Sequence, residues 1–300
     1  MKKISIIGAN SYIARNLVFV LNKLDEHFII RLYDREDVHA DGIKNYKSVK
    51  INDIESIRLL ELDCDLIFMF IGKTGSTNGF DLFEEFIDIN EKALLNLLNE
   101  YRRQGSKAKI IFPSTRLVYK GMKGLLKEDS EKEFKTIYAI NKFACETYLK
   151  QYNEVFGVPY CIFRICVPYG TLVAQVESYG TAGFMLNMAA NGENISLYGD
   201  GMVRRTLTYI GDLCNVLIKG AFSENCVNDV YNIGGENYSL KEMAELISSR
   251  YQVGIDYVDY PEMAEKTESG DTVFDDGKIQ KCCPVYYKMK FEEWCLLQNT

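Results

Sequence analysis

Lys3-Ile4-Ser5-Ile6-Ile7-Gly8-Ala9-Asn10-Ser11-Tyr12-Ile13-Ala14 sets a short β-branched run against a tight turn and the opening of a helical pattern. The run at 3–7, stopped by Gly8, reads as a β-strand, and the apolar spacing over 11–24 reads as a helix. Outward from this unit the rhythm repeats. Residues 28–33, 48–51, 66–71, 109–112 and 160–166 are further strand candidates, while 54–61, 80–103 and 134–156 carry helical spacing. Strands that are apolar on both faces and alternate with helices form a parallel sheet covered on both sides. The fold class is therefore α/β, a doubly wound parallel sheet. Chemistry in such a sheet is sought just beyond the carboxyl ends of its strands.

After Gly170 the rhythm changes. A loop at 171–181, a helix at 182–190 and turns near Gly192 precede a strand at 205–210, a helix at 212–222, a strand at 230–233 and a helix at 240–250. This predicts a main domain of residues 1–168, with 205–235 returning to it. Residues 169–204 and 236–300 then make a smaller mixed α/β lobe.

Composition bounds the function. The 300 residues are 47% apolar and 26% charged, ordinary values for a folded globular chain. No apolar run reaches the length of a membrane span. The basic start, Lys2-Lys3, is followed by too short an apolar run for a signal peptide, which predicts a cytoplasmic protein. A net charge of -7 argues against a general nucleic-acid binder. The nine cysteines include no CxxC pair and read as reduced thiols. Two histidines, His27 and His39, both in an early polar region, supply neither a zinc site nor a Ser-His-Asp triad. No metal is expected, and proton chemistry falls to Tyr, Lys, Asp or Glu.

The turn after the first strand, Gly8-Ala9-Asn10-Ser11-Tyr12-Ile13-Ala14, has the form Gly-x-x-Ser-x-x-Ala. Glycine permits the tight turn, and small residues at 11 and 14 let the backbone approach a pyrophosphate at the helix start. Asp34, at the end of the second strand, is placed to accept hydrogen bonds from adenosine ribose hydroxyls, which favours NAD over NADP. Arg35 beside it offers a guanidinium that could take a 2′-phosphate instead.

Tyr-x-x-x-Lys carries the acid–base reading. On a helix the two side chains share a face, and the ammonium favours the phenolate of a tyrosine whose free pKa is near 10. The pattern occurs four times, at Tyr46, Tyr119, Tyr138 and Tyr286. Only Tyr138-Ala-Ile-Asn-Lys142 opens a long amphipathic helix directly before a strand. Ser114 and Thr115 end the preceding strand, and the Thr115 hydroxyl is suited to bond the reacting oxygen and steer its proton to Tyr138.

With these pieces in order, the chain resembles the extended short-chain dehydrogenase/reductases, specifically the nucleotide-sugar epimerase/dehydratase family. Phe112-Pro-Ser-Thr-Arg-Leu-Val-Tyr119, Tyr138-Ala-Ile-Asn-Lys-Phe-Ala-Cys-Glu146, Arg164-Ile-Cys-Val-Pro-Tyr-Gly170, the stretch Gly199 to Asp212 and Tyr231-Asn-Ile-Gly-Gly235 carry the resemblance. It implies a Rossmann-type sheet with a smaller substrate lobe, and Thr115, Tyr138 and Lys142 as catalytic residues. The cofactor would be held by Gly8, Ser11, Tyr12, Ile13, Asp34, Arg35, Asp53, Ile54, Phe70, Ile71 and Gly72, with Tyr138 and Lys142. Asp53-Ile54 is the pair expected at the adenine. Substrate contacts are implied for Lys73, Thr115, Arg116, Val167 and Arg205, the last as a clamp on the diphosphate. A homodimer through the helices at 80–103 and 134–156 is also implied.

Departures narrow the activity. Where the family's dehydratases carry an acidic pair after the catalytic threonine, this chain has Arg116 and Leu117, which speaks against 4,6-dehydration. Val167 stands where the family usually has asparagine. The leading expectation is an NAD-dependent nucleotide-sugar 4-epimerase acting on a nucleotide diphosphate sugar by transient oxidation at C4. The alternative is an NAD(P)H-dependent reductase of a nucleotide-4-keto-sugar. A non-catalytic nicotinamide-nucleotide sensor or scaffold is a third reading, opposed by the retention of Tyr138 and Lys142. The loop at 172–183 is expected to set sugar specificity.

Overall fold

The structure, a computed structural model, describes residues 1–75, 77–173 and 180–298. The strands of the first half are β1 (Lys2–Ile7), β2 (Phe28–Asp34), β3 (Tyr46–Ser48), β4 (Leu66–Met69), β5 (Lys109–Thr115), β6 (Leu125–Leu126) and β7 (Tyr160–Ile165). Those of the second are β8 (Val167–Tyr169), β9 (Ile195–Tyr198), β10 (Arg204–Tyr209), β11 (Asp229–Asn232), β12 (Glu236–Ser239), β13 (Ile255–Val258) and β14 (Val273–Phe274). The longer helices are α1 (Tyr12–Leu21), then, after the single turns α2 (Ile54–Ile57) and α3 (Phe83–Phe86), α4 (Ala93–Gln104) and α5 (Ile137–Phe156). There follow α6 (Gly180–Ala190), α7 (Ile210–Phe222), α8 (Leu240–Tyr251), α9 (Glu262–Thr267), α10 (Gly277–Cys282) and α11 (Phe291–Leu296).

Seven strands form one sheet in the order β11-β7-β5-β4-β1-β2-β3, and every pair in it is parallel. The two-residue period of a strand sends alternate side chains to opposite faces. Ile4, Ile6, Leu32, Phe68 and Phe163 thus pack with α1 and α7 on one face. Ile7, Tyr33, Ile67, Met69, Phe112 and Ile162 pack with α4 and α5 on the other. The doubly wound α/β reading holds. Strand order reverses between β1 and β4, so the loops leaving these two strands diverge and open a crevice there.

Helix boundaries follow local chemistry. Ser11 caps α1 and Thr136 caps α5, each accepting from the backbone N–H three residues on. Gly105 and Gly157, both left-handed, end α4 and α5. The helix expected over 80–103 is interrupted by a π-helical segment, Ile87–Lys92, which joins α3 to α4 and turns Asn90 into the interior. The strand expected at 48–51 lies instead at β3, and the helix expected at 54–61 ends with α2.

The second lobe departs from expectation in one respect. The stretch predicted to return to the main sheet at 205–235 does so only from α7 onward, with β11 on the sheet edge. Strand β10 belongs to a separate three-stranded sheet, β12-β10-β8. The cause is at Cys166, where the chain ends β7 and begins β8 in the other sheet, so the backbone edge available to β10 is the one offered by β8. Val167, Met185, Leu207, Met243, Phe291 and Trp294 fill that lobe's core.

A buried ion pair ties α5 to one half of the main sheet. Arg164 on β7 meets Glu146 on α5 with two parallel bonds, Nε to Oε1 at 3.0 Å and Nη2 to Oε2 at 2.6 Å. Their side chains are 4% and 5% exposed. Ser114 Oγ donates to the same carboxylate, and Arg164 Nη1 donates to Tyr119 Oη at 2.7 Å and to the Glu128 carbonyl at 2.9 Å. Tyr119 donates onward to Asn232 Oδ1 on β11 at 2.6 Å. Removing one charge strands the other in a low-dielectric interior. Arg164→Met is therefore expected to lower the unfolding free energy by about 3–5 kcal/mol in urea denaturation. Glu146→Leu added to it should recover a large part of that loss.

Candidate active site

A cleft of about 700 Å³ lies over the reversal point, lined by Gly8, Asn10, Ser11, Asp34, Arg35 and the loops after β3 and β4. Gly8 makes this possible. Its φ is +84°, and a Cβ there would stand 2.6 Å from the backbone of Phe70 and Ile71, so only glycine lets the loops after β1 and β4 come together. Helix α1 begins at the cleft edge with no acidic residue in its first turn, leaving its positive end open to an anion.

Asp34 ends β2 with its carboxylate at the cleft. Oδ2 accepts from the Asn10 N–H at 2.8 Å and Oδ1 from the Arg35 N–H at 2.7 Å, which fixes the group while leaving lone pairs for a ligand. Arg35 is exposed and pairs with Glu36 at 3.1 Å. Phe70, Ile71, Gly72 and Lys73 line the opposite wall. The Lys73 ammonium pairs with Glu85.

Several expected cofactor residues stand differently. The Tyr12 side chain turns away from the cleft and donates to the Gly170 carbonyl, and Ile13 packs into the core beneath the sheet. Only their backbone N–H groups remain to face a ligand at the helix start. Asp53 caps α2, its Oδ1 accepting from the Ser56 N–H at 2.7 Å, and Ile54 is 72% exposed. Neither lines the cleft; Lys50, Ile51 and Asn52 do. The Asp53 carboxylate thus serves as a helix cap through one oxygen, and the pair stands directly after the residues that line the cleft.

The residues expected to carry acid–base chemistry gather where β5 ends against α5. Lys142 is 5% exposed, and its ammonium donates to the Pro113 carbonyl at 2.8 Å, lies 4.5 Å from the Phe112 ring centre and 5.9 Å from that of Tyr138. Burial pulls its pKa down to about 8. A Cβ on Gly72 would approach the same ammonium to 3.6 Å, so Lys142 borders the cleft wall. Tyr138 is half-buried on the first turn of α5. Thr115 is buried at the last position of β5, and its Oγ1 accepts from the Leu117 N–H at 3.3 Å as the cap of a short 3-10 turn, Arg116–Val118. Accepting that bond leaves the hydroxyl's own proton to donate.

Asn90 is a residue the sequence reading passed over. Its side chain accepts from the Lys73 N–H at 2.8 Å and donates back to the Lys73 carbonyl at 3.1 Å, pinning the loop after β4 to the π-helical segment, and it also donates to Asn141 Oδ1 on α5 at 3.3 Å. An asparagine inside an apolar helical pattern was the available signal, but a regular helix would not have turned it inward.

On the substrate side, strand alternation separates two neighbouring arginines. Arg204 turns outward to Glu242 at 2.9 Å, and Arg205 turns inward, 2% exposed. The expected diphosphate clamp is nevertheless already engaged. Arg205 donates to Glu268 Oε1 at 2.6 Å and to the carbonyls of Gly270 and Arg204 at 2.6 and 2.9 Å. Val167 is core rather than surface, paired with Leu207 across β8 and β10. Arg116 donates to Ser269 Oγ at 3.0 Å. Much of the loop expected at 172–183 lies outside the described residues. No group of three or more metal-ligating side chains occurs among the described residues, and none of their helices is long and apolar enough to cross a membrane.

Comparison with known proteins accords with this geometry. A putative UDP-glucose 4-epimerase of Methanocaldococcus jannaschii is 26% identical over 209 residues, which cover 69% of this chain and 62% of that protein. YtcB of Bacillus subtilis, described as an uncharacterized UDP-glucose epimerase, is 25% identical over 259 residues, 82% of this chain and 81% of its own. The solved structure of Pal from Bacillus thuringiensis superposes with a TM-score of 0.87 at 21% identity, covering 98% of this chain and 96% of that one. The UDP-glucose 4-epimerase of Thermus thermophilus in complex with NAD gives 0.85 at 19% identity, covering 98% and 97%. At these identities the superpositions speak for the fold. Residues 4–234 match the family model described as the NAD dependent epimerase/dehydratase family, and the chain belongs to that family.

Proposed function

We propose that this protein is an NAD-dependent nucleotide-sugar 4-epimerase. The observation that carries the reading is the meeting of Lys142, the Tyr138 ring and the end of β5 at the wall of the cleft. Family membership supports it, as do the names of two relatives, a putative UDP-glucose 4-epimerase and an uncharacterized UDP-glucose epimerase. The cleft fits the cofactor: glycine at the one place where a Cβ would meet the facing backbone, an acid-free helix start for the pyrophosphate, and the Asp34 carboxylate for the ribose hydroxyls. Exposed Arg35, paired with Glu36, offers a 2′-phosphate only a competing partner, which favours NAD over NADP.

Bound there, NAD supplies a hydride sink that is restored at the end of each turnover. The protein's own residues handle the proton. Tyr138, as phenolate, takes the proton of the C4 hydroxyl, and the nearby Lys142 ammonium stabilises that anion. Thr115 donates to the reacting oxygen and holds it facing Tyr138. Gly72 and the loop after β4, pinned by Asn90, keep the ammonium at the cleft wall. Arg116 and Leu117 offer no acid–base pair for eliminating water, which sets dehydration aside.

A homodimer belongs to the same reading. Phe83, Ile87, Ile140 and Val155 stand exposed on α3, the π-helical segment and α5, a face that a second copy would cover.

Heating the purified protein and identifying the released nucleotide is expected to yield about one NAD per chain, and incubation with UDP-sugars to give C4 epimers without net cofactor consumption. An empty site, or cofactor consumed with a 4-keto-sugar, would assign the reductase instead. Tyr138→Phe is expected to lower kcat by about 100-fold or more while NAD content stays constant. Full activity in that variant would reject a catalytic tyrosine.

Lys142 also predicts a pH effect on stability. An ordinary lysine titrates near 10.5 and this one near 8, so its charge opposes folding by about 3 kcal/mol below pH 8. That opposition fades as pH rises from 8 towards 10.5, where the unfolded chain also loses the proton. Lys142→Met is thus expected to abolish activity yet melt higher than the parent at pH 7, with the difference shrinking towards pH 10.

A further inference from the structure

Resting on the nucleotide-sugar reading, we propose that Arg116, not Arg205, is the residue that binds an anionic group of the substrate beside the reacting hydroxyl. The group is an oxyanion, either a carboxylate carried by the sugar ring or the diphosphate. Arg116 thereby becomes a specificity-determining residue of the site.

Three observations converge on Arg116. The first is position. Arg116 follows Thr115 directly and opens the 3-10 turn that Thr115 caps, so the root of its side chain is fixed within one residue of the catalytic hydroxyl. The second is unspent hydrogen-bonding capacity. A guanidinium carries five N–H donors. Among the described residues, Arg116 uses its donors on Ser269 Oγ alone, and no carboxylate pairs with it. Its nitrogens are not among the sealed, partnerless polar atoms of the interior, a class that contains only His39 Nε2 among the described residues. The unused donors therefore face space that solvent or a ligand can reach.

The third is charge. Arg205 is closed off by Glu268 and two backbone carbonyls. Glu268 bonds Arg205 and only lies within electrostatic reach of Arg116, so among the described residues two neighbouring guanidinium groups have one carboxylate near them. Burial, and then repulsion from Arg205, push the Arg116 pKa down to about 10, and it stays cationic at neutral pH. A desolvated cation without a counter-charge is costly, and an oxyanion offering two acceptor atoms relieves that cost with paired, directional bonds. The chain's other inward-facing arginine, Arg164, has its carboxylate supplied internally by Glu146. Among the described residues no carboxylate bonds Arg116, so an anionic ligand is the group that would complete it.

The test is calorimetric binding of UDP, UDP-glucose and UDP-glucuronate to the NAD-loaded parent and to Arg116→Gln. If the anion is a ring carboxylate, the variant should bind UDP-glucuronate about 10- to 100-fold more weakly while UDP and UDP-glucose are unchanged. If it is the diphosphate, all three should weaken by a similar factor. Equal affinities in parent and variant across the three ligands would overturn the assignment to Arg116 while leaving the epimerase reading intact. A parent that binds none of them would overturn the nucleotide-sugar reading, and this proposal with it. Arg116→Lys keeps the charge but loses the planar fork, and should fall between parent and Arg116→Gln. It provides the same comparison should Arg116→Gln not fold, and NAD content and melting temperature report the fold of each variant.

Discussion

The buried pairing of Glu146 with Arg164 is the constraint on which the rest of the site depends. A carboxylate and a guanidinium removed from water are tolerable only when each is met by the other and by further hydrogen bonds. Here Ser114, Tyr119, Glu128 and Asn232 supply those bonds. The result is a cross-brace through β5, α5, β7 and β11. Glu146 lies two helical turns along α5 from Tyr138 and one from Lys142, so fixing the rotation of α5 about its axis also fixes which residues face the end of β5. Ser114 is tied to the brace, and Thr115 beside it is held at the strand's end. Tyr138, Lys142 and Thr115, the residues proposed for acid–base chemistry, inherit their placement from this polar network.

Around this brace three of the protein's inward-facing cations are treated differently. Arg164 receives a carboxylate of its own. Lys142 receives only the Pro113 carbonyl and the faces of Phe112 and Tyr138, and its lowered pKa records the cost of that position. A buried ammonium lacking a counter-ion stabilises a phenolate, or a bound ligand, far better than one already neutralised. Arg116 is the third, with one hydroxyl for company. The same sequence thus spends internal carboxylates where rigidity is needed and withholds them at the site, the trade between stability and function expected of a working cleft.

Much of this could be read from residue order. The β-branched runs and the helical spacing between them identified the parallel sheet, because a strand buried on both faces must be apolar at successive positions. Tyr138-x-x-x-Lys142 was separable from its three copies by helical context, and Thr115 by its place at a strand end. Gly8 was legible because a tight turn against facing backbone restricts the residue that can stand there, and Asp34 by its place at a strand end. Where side chains have other partners in the structure, the reason is shared. Asp53, Tyr12 and Arg205 have residue types suited to ligand contact, but each is claimed by a partner distant in sequence or by a local cap: Ser56, Gly170 and Glu268. Competition for a polar side chain is settled in three dimensions, and a motif records only one of the competitors.

By itself, the sequence determined the α/β class, the strand after which each chemical group must appear, and the tyrosine–lysine pair, since these follow from periodicity and from interactions within a few residues. Only the tertiary structure decided that β10 leaves the main sheet, that a π-helical segment turns Asn90 inward, and that Arg205 is neutralised while Arg116 is not. Those outcomes depend on which distant segments meet. The loop carrying Glu268, Ser269 and Gly270 lies more than sixty residues from Arg205 and about a hundred and fifty from Arg116. Short-range propensity carries no record of such encounters; packing and charge compensation in the folded chain establish them.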